Sequence, residues 1–313
     1  MPTDSQTPVK IPGKTAIVTG SSQGWGLGIA RGFAERGVDV VVTGSNPDRV
    51  AEAARQVQAV AKGRVAPIVS NLGTKEGCEA LFNQATEALG TIEILVNNAG
   101  IVEQATILET TDDQWHNVFA LSVHAQFYMT RMVARALVAA DKGGRIINMA
   151  GGAAFSGMTG YASHAAAKGA GMGAVLTWAR ELGPHGITVN AMAGSIITAQ
   201  SAPFLERRRQ ELIDKGLPSK TDRELGFYTP DELSAVVVWL ASESAAMVNG
   251  RMMHASGPEL QIWRMATIET VINAAGAPWT PELLDRIDLA SMLTRDAGLE
   301  PRRSREPIQT VRK

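Results

Sequence analysis

The sequence predicts an α/β protein built around a doubly wound parallel sheet of about seven strands. Short apolar runs recur along residues 12–257, and longer segments with helical spacing separate them. Most of the short runs are apolar throughout, which is typical of strands that are buried on both faces of a parallel sheet. Regular alternation of strand and helix indicates βαβ units, whose strands lie parallel in one sheet.

The predicted elements keep this alternation over most of the chain. Strands are expected at residues 15–19, 38–43, 64–70, 92–97, 145–150, 187–193 and 251–256. Helices are expected between them at residues 25–36, 48–61, 75–89, 113–140 and 162–183. Each strand except the last is therefore followed by a segment long enough to cross back over the sheet.

Two segments depart from the pattern. Residues 195–230 are charged, contain three prolines and are too long for a plain connection, so they form either a lid over a substrate or a solvated surface insertion. After Gly257 the strand pattern stops, and residues 262–297 have helical spacing. We therefore expect one domain over residues 12–257 and a helical C-terminal extension with a basic tail over residues 258–313.

Composition excludes several classes of function. The chain has 313 residues, 45% hydrophobic and 19% charged, with a formal net charge of −1, so no basic surface for nucleic acid is expected. No apolar run is long enough to span a bilayer, and the polar N-terminus does not resemble a signal peptide. The single cysteine, Cys78, cannot form an internal disulfide, so we expect a cytoplasmic protein. The histidines are scattered without metal-ligand spacing, so we expect no metal site.

A glycine-rich turn follows the first predicted strand. In "TGSSQGWGLG", residues 19–28, the candidate cofactor-binding residues are Gly20, Ser22, Gly24 and Gly26. Glycines let the backbone approach a pyrophosphate closely, and the helix that follows offers free N–H groups and a positive dipole end. Because the turn lies between a strand and a helix, it predicts a dinucleotide site instead of a merely tight turn.

The end of the second strand bears on the choice between NAD and NADP. An acidic residue there would bind a free ribose 2′-hydroxyl, but "TGSNPDR" has no carboxylate before Asp48. Ser45, Asn46 and Arg49 are suited to a 2′-phosphate instead. The sequence therefore gives a slight preference for NADP.

Several motifs together resemble the short-chain dehydrogenase/reductase family. They are the glycine-rich turn, "NNAG" at residues 97–100, and a Lys followed by "GA" and by "PHGITVN" at residues 184–190. The resemblance implies a Rossmann-type domain that forms dimers or tetramers, a nicotinamide cofactor, and hydride exchange between an alcohol and a carbonyl. It also implies that Asn98 and Gly100 lie beside the cofactor, and that Asn71 replaces an Asp near the adenine.

The family's catalytic residues are a Tyr that transfers the substrate proton, a Lys that lowers the pKa of this Tyr and binds the nicotinamide ribose, a Ser that holds the substrate oxygen and an Asn that anchors a water. Lys168 matches the Lys, because the stretch from Lys168 to Asn190 follows the family pattern without a gap. Counting back, His164 stands in the Tyr position, Gly151 in the Ser position and Ser122 in the Asn position. The resemblance therefore implies that only one of the four usual residues is retained.

Three interpretations of His164 remain open. In the first, a neutral imidazole exchanges the proton beside Lys168, Ser122 or Ser156 replaces the missing hydroxyl, and the chain is an oxidoreductase of an apolar carbonyl or alcohol. In the second, His164 is the base of a lyase, isomerase or cyclase without net hydride transfer. In the third, the chain is a catalytically degenerate subunit that pairs with an active paralogue and need not bind a cofactor.

Tyr161 and the methionines complete the candidate site. Tyr161 lies one turn before His164, so it is either a displaced catalytic Tyr or, as the more ordinary use, a packing or stacking residue. Four methionines flank the expected cleft and either line an apolar pocket or fill the core: Met149, Met158, Met172 and Met192.

Overall fold

Seven parallel strands and one antiparallel strand form a single sheet in a computed structural model, which describes residues 9–263. The order across the sheet is β3-β2-β1-β4-β5-β6-β7-β8, and only β8 runs antiparallel to its neighbour. The strands are β1 (Thr15–Val18), β2 (Asp39–Gly44), β3 (Val65–Val69), β4 (Ile94–Asn97), β5 (Gly144–Met149), β6 (Ile187–Gly194), β7 (Met252–Ser256) and β8 (Glu259–Trp263). The predicted doubly wound sheet is thereby confirmed.

Helices cover both faces of the sheet. They are α1 (Gly24–Ala34), α2 (Pro47–Gln58), α3 (Lys75–Leu89), α4 (Asp112–Phe119), α5 (Ala125–Ala139), α6 (Ala153–Ser156), α7 (Ala162–Leu182), α8 (Ala202–Asp214) and α9 (Pro230–Leu240). Several begin at side-chain caps that satisfy free backbone N–H groups, as Thr111 does for α4 and Thr229 for α9. The segment predicted as a lid or insertion, residues 195–230, thus contains a three-turn helix.

The core lies in two layers because alternate residues of each strand face opposite sides. Ala16 and Val18 join the layer that includes Phe33 of α1, whereas Ile17 joins the layer that includes Leu81 of α3 and residues of α5 and α7. The central strands are buried on both sides, which explains why they are apolar at every position.

The eighth strand corrects the prediction that the sheet pattern stops after Gly257. Residues 259–263 are exposed or half-buried at the edge of the sheet, so they lack the continuous apolar character of the inner strands. The remainder of the predicted helical extension, residues 264–313, lies outside the described residues. The division at residue 257 therefore stays a prediction.

One predicted helix is divided. The segment expected as a single helix over 113–140 consists of α4, a wider π-helical stretch over Ala120–His124, and α5. Ser122 lies within the π-helical stretch. Such stretches are rare and occur frequently at functional sites, so the backbone itself marks this position.

Residues 9–263 contain no membrane-spanning helix, no cluster of metal ligands and no reactive cysteine. No helix there is both long enough and apolar enough to cross a bilayer, and no group of three or more His, Cys, Asp or Glu is arranged to hold a metal ion. Cys78 is fully buried, and burial raises the pKa of its thiol to about 11. A thiol in that state packs the core and is a poor nucleophile.

Candidate active site

The phosphate loop, residues 19–28, connects β1 to α1 in a conformation that requires its glycines. Gly20 has a φ of 64° and Gly24 a φ of 57°, a region that L side chains rarely adopt. A Cβ on Gly26 would lie 2.5 Å from Asn98 Nδ2 and 2.6 Å from the carbonyl oxygen of Gly20. The candidate glycines therefore occupy positions where any side chain would be strained or would clash.

The same loop fits the pyrophosphate of a dinucleotide. Within the described residues, no side chain caps the first turn of α1, so its N–H groups and positive dipole end remain available to an anion. Asn98 Nδ2 donates to the carbonyl oxygens of Thr19 at 2.9 Å and Gly20 at 3.3 Å, which ties the loop to the end of β4. The loop lies between β1 and β4, where the strand order reverses and α/β sheets bind ligands.

The end of β2 has no room for the acidic residue that favours NAD. A Cβ on Gly44 would collide with the side chain of Ser22, so Ser22 occupies the space of a larger residue there. Ser45 follows and is exposed. Asn71, at the end of the neighbouring β3, is also exposed, and its Oδ1 accepts a hydrogen bond from the Gly73 N–H.

Arg49 lies in the first turn of α2, which follows this strand end. Its Nη1 donates to Gln23 Oε1 at 3.3 Å, and Arg49 forms no ion pair among residues 9–263. A surface cavity of about 350 Å³ is lined by Ser22, Gln23, Asp48, Arg49, Glu52, Ala53 and Gln56. Glu52 in this cavity is held by Arg55 and Gln56, so it does not neutralise Arg49.

Lys168 of α7 anchors the catalytic corner, which we define as Gly100, Ser122, Gly151, His164 and Lys168. The Lys168 amine donates to the carbonyl oxygen of Met149 at 2.7 Å. Burial lowers the pKa of Lys168 to about 8, since a buried ammonium loses its hydration. The amine therefore lies at the end of β5, in an environment that eases loss of its proton.

His164 lies one turn before Lys168 and has one ring nitrogen engaged. Its Nδ1 is 3.3 Å from the carbonyl oxygen of Ile101, and because a carbonyl only accepts, Nδ1 is the nitrogen that carries the proton. Burial first, and the Lys168 charge second, lower the pKa of His164 to about 4. At neutral pH the ring is thus neutral, with its lone pair on Nε2.

Gly151 provides the space that His164 faces. A Cβ on Gly151 would lie 3.5 Å from His164 Nε2 and 3.0 Å from Lys168 Cγ. The two positions matched by counting along the sequence, 151 and 164, are therefore neighbours in space. The structure brings His164, Lys168 and the space beside Gly151 together at the carboxyl end of β5.

Ser122 lies close to the Lys168 amine, next to Gly100. Its Oγ is buried and has no hydrogen-bond partner among the described residues. A Cβ on Gly100 would lie 3.1 Å from Ser122 Oγ and 3.7 Å from Lys168 Nζ, so both groups flank Gly100. An unpaired buried hydroxyl is costly unless a water or ligand completes it. The side chain of Ser156, the other predicted hydroxyl, lies outside the described residues.

Tyr161 is buried at the start of α7, and its hydroxyl is occupied. The hydroxyl accepts a hydrogen bond from Gln104 Nε2 at 3.0 Å, and the Gln104 Oε1 in turn accepts one from Arg207, whose charge also acts on the hydroxyl. Burial is the main cause that raises the pKa of Tyr161. The ring lies edge-on to His164 with centroids 6.2 Å apart. These contacts favour a packing and binding role for Tyr161 over that of a displaced proton carrier.

Sequence reasoning missed Gln104 and Arg207, which meet beside Tyr161. They are 103 residues apart, and no local pattern links them. Three of the methionines expected near the cleft, Met149, Met172 and Met192, are buried in the two core layers. For these three, core packing is the correct alternative, and an apolar pocket loses most of its support.

Comparison with known proteins identifies the family. The profile described as short chain dehydrogenase matches residues 14–210. The chain belongs to the short-chain dehydrogenase/reductase family. It is 33% identical over 250 residues to a 2-dehydro-3-deoxy-D-gluconate 5-dehydrogenase of Escherichia coli K12, covering 79% of this chain and 95% of that protein. It is 30% identical over 249 residues to a 3-oxoacyl-(acyl-carrier-protein) reductase of Vibrio harveyi, covering 80% and 98%.

Solved structures agree with the family. A short-chain dehydrogenase from Mycobacterium avium has a TM-score of 0.74 at 28% identity and covers 91% of this chain and 96% of its own. L-Sorbose reductase from Gluconobacter frateurii, solved with NADPH and L-sorbose, has a TM-score of 0.70 at 30% identity and covers 79% and 97%. The resemblance and the Rossmann-type fold expected from the sequence are therefore confirmed.

Proposed function

We propose that this short-chain dehydrogenase/reductase is an NAD(P)-dependent oxidoreductase in which His164 and Lys168 act in place of the usual Tyr and Lys. The observation that carries the proposal is the convergence of the free Nε2 of His164 and the half-buried Lys168 side chain on the space beside Gly151. A secondary alcohol bound there transfers its hydroxyl proton to Nε2 while its carbon loses hydride and becomes a carbonyl. A bound nicotinamide supplies the hydride acceptor for this direction and the hydride donor for the reverse.

Protonation of His164 is balanced by loss of a proton from Lys168. The protonated ring keeps its Nδ1–H on the Ile101 carbonyl, and the adjacent Lys168 has a pKa of about 8, which eases loss of a proton as the imidazolium forms. Ser122 Oγ, unpaired and near the same amine, is placed to hold a water that passes this proton to solvent. Ser122 thus supports the transfer without touching the reacting carbon.

The substrate we propose is a polar carbonyl or alcohol instead of the apolar one expected from the sequence. The core position of three methionines removes the main reason for an apolar pocket. Among the relatives, the names of the 2-dehydro-3-deoxy-D-gluconate dehydrogenase and the L-sorbose reductase denote hydroxylated substrates. Both names are compatible with a site beside which the polar side chains of Gln104 and Arg207 lie.

For the cofactor we propose NADP(H) over NAD(H). Supporting observations are the unpaired Arg49, the exposed Ser45 and the absence of room for a carboxylate at Gly44. Titration of the purified protein with NADPH and with NADH, followed by fluorescence, should give about tenfold tighter binding of NADPH. Equal affinities would contradict the preference.

Assembly and location remain proposals. We propose a homodimer or homotetramer, as the family resemblance implies, in the cytoplasm. In the degenerate-subunit alternative, the chain would instead pair with an active paralogue. The mass of the native protein, measured by light scattering after purification from its own cells, distinguishes a homo-oligomer from a mixed one.

The decisive experiment compares His164→Gln with His185→Gln. With sugar-derived ketones and alcohols, the absorbance of reduced nicotinamide should report turnover that falls at least about a hundredfold in His164→Gln. His185 is exposed and distant in the chain from the corner, so His185→Gln should keep the wild-type rate. Equal rates for all three proteins would overturn the assignment of His164.

The same assay separates the alternatives. A product of unchanged oxidation level, formed without any change in nicotinamide absorbance, would support the lyase, isomerase or cyclase interpretation. Failure to bind either cofactor, together with co-purification of an intact family member, would support the degenerate subunit. Either result replaces the oxidoreductase proposal.

A further inference from the structure

Three consecutive arginines on α8 differ in their partners. Arg208 pairs with Glu211 at 2.8 Å, and Arg209 pairs with Glu206 at 3.0 Å and with Asp222. Arg207 forms no ion pair with any carboxylate among residues 9–263. Its guanidinium charge is therefore the unbalanced one of the three.

Neutral groups hold this charge at a defined place. Arg207 Nη2 donates to Gln104 Oε1, and the Gln104 amide donates to the Tyr161 hydroxyl. Arg207 Nη1 lies 3.9 Å from the position of a Cβ on Gly160, directly before α7. An amide and a phenol orient a guanidinium without neutralising it, so its remaining N–H groups stay free to bind an anion.

The held charge lies beside the catalytic corner. Gln104 joins Arg207 to the Tyr161 hydroxyl, and the Tyr161 ring faces His164 edge-on, so this short chain of side chains connects the guanidinium to the imidazole. A ligand that reaches from His164 Nε2 past Tyr161 would meet Arg207. The arrangement places a cation at the far end of a small substrate whose other end reacts.

We propose that Arg207 binds the carboxylate of the substrate, so that the reaction partners are hydroxy acids and oxo acids. The planar fork of a guanidinium matches a carboxylate with two parallel hydrogen bonds. A carboxylate, with one charge, matches the single free arginine, whereas a phosphate dianion would leave charge unbalanced because Arg208 and Arg209 are already paired. The substrate class rests on the oxidoreductase proposed above.

The test compares acids with their neutral esters. Acetoacetate and levulinate, each beside its methyl ester, are assayed with wild type, Arg207→Gln and the matched control Arg208→Gln. Calorimetry measures binding of the same compounds, and of inorganic phosphate, to the NADPH-loaded protein. Arg207→Gln should raise KM and Kd for the acids at least about tenfold, with little change in kcat or in either constant for the esters. Arg208→Gln should change neither.

Each outcome decides the proposal. Equal affinity of wild type for acid and ester, or equal losses in Arg207→Gln and Arg208→Gln, would overturn it. Tighter binding of inorganic phosphate than of either acid would replace the carboxylate with a phosphate group. If no compound is turned over but the acids bind through Arg207, the oxidoreductase proposal is the one in doubt and the carboxylate site stands.

Discussion

The phosphate loop follows β1 and the catalytic corner lies at the end of β5, with only β4 between these strands, yet the two regions differ in how far they follow the family pattern. The loop keeps glycines at positions where a side chain would strain or collide, including Gly26. The corner keeps Lys168 but presents His164, Gly151 and Ser122, where the family pattern implies Tyr, Ser and Asn. The assignment we propose therefore retains the family pattern at one end of the cleft and departs from it at the other.

The difference follows from whether each region acts through its backbone or through its side chains. A pyrophosphate is bound by backbone N–H groups and a helix dipole, so the requirement falls on backbone geometry and each glycine is needed separately. Proton transfer is performed by side chains that project from an intact scaffold, so these can change together while the fold persists. A family member can therefore bind its cofactor and still perform altered chemistry.

The largest effect is expected at the phosphate loop. In Gly26→Ala the new Cβ would lie 2.5 Å from Asn98 Nδ2 and 2.6 Å from a backbone oxygen, so the loop must shift. We expect NADPH affinity to fall about a hundredfold and stability to fall by about 1–3 kcal/mol, as for other overpacked sites. Fluorescence titration and urea unfolding measure the two effects.

A second glycine supplies the control for this comparison. Gly169 lies on an exposed part of α7, next to Lys168, and no atom lies within 4 Å of its Cβ position. Gly169→Ala should leave NADPH binding unchanged and stabilise the protein by up to about 1 kcal/mol, because alanine favours a helix. If both variants bound NADPH like wild type, the loop would not be the retained end of the cleft.

The next effect concerns the charge state of the catalytic corner. The pKa of His164 lies at about 4 in the folded protein and near 6.5 in an unfolded chain, so the fold favours the neutral ring. The associated stability is complete above about pH 6.5 and is lost as the pH falls toward 4. The loss amounts to at most about 3 kcal/mol, because water that reaches the ring reduces it.

Urea unfolding at about pH 7 and about pH 4.5 measures this loss in wild type, His164→Gln and His185→Gln. Carboxylates titrate in the same window in all three proteins, so the difference between them isolates His164. His164→Gln should lose less stability than wild type, and His185→Gln the same amount. Identical losses in all three would show that the imidazole is as well hydrated in the fold as outside it.

The sequence predicted the inner strands well because burial on both faces leaves a local signal in every residue, as in "TAIV" of β1 and "ILVN" of β4. It missed β8, since an edge strand in water has no such signal and Leu260 and Ile262 are exposed. It also missed the π-helical stretch around Ser122, for which "ALSVH" carries no distinctive residue.

The candidate site residues likewise differ in whether a local sequence pattern predicts them. The phosphate loop could be predicted because its glycines are adjacent in the chain and serve one local turn. His164 and Gly151 were paired by counting along a family pattern, and their proximity is a tertiary fact. Gln104 and Arg207 meet only because α8 folds back onto the loop after β4, a contact that no local pattern predicts.

The smallest effect is expected for Gly151→Ser, which tests whether residues 151 and 164 of the catalytic corner depend on each other. In Gly151→Ser the new Cβ would lie 3.5 Å from His164 Nε2, so the hydroxyl can donate to the lone pair that a substrate alcohol needs. We expect turnover to fall a few-fold, about 1 kcal/mol, when measured by nicotinamide absorbance. The tight 3.0 Å approach to Lys168 Cγ is relieved by movement of that flexible side chain.

The same substitution should have the opposite sign in a His164→Tyr background. There the ring nitrogen is gone, and the serine hydroxyl is free to hold the substrate oxygen beside a phenol, as the family pattern implies. Turnover of Gly151→Ser/His164→Tyr should therefore exceed that of His164→Tyr alone, which gives a coupling energy of about 1 kcal/mol or more. If the two substitutions have additive effects in this double-mutant cycle, residues 151 and 164 act independently. That result would contradict the interpretation that His164 requires the space left by Gly151.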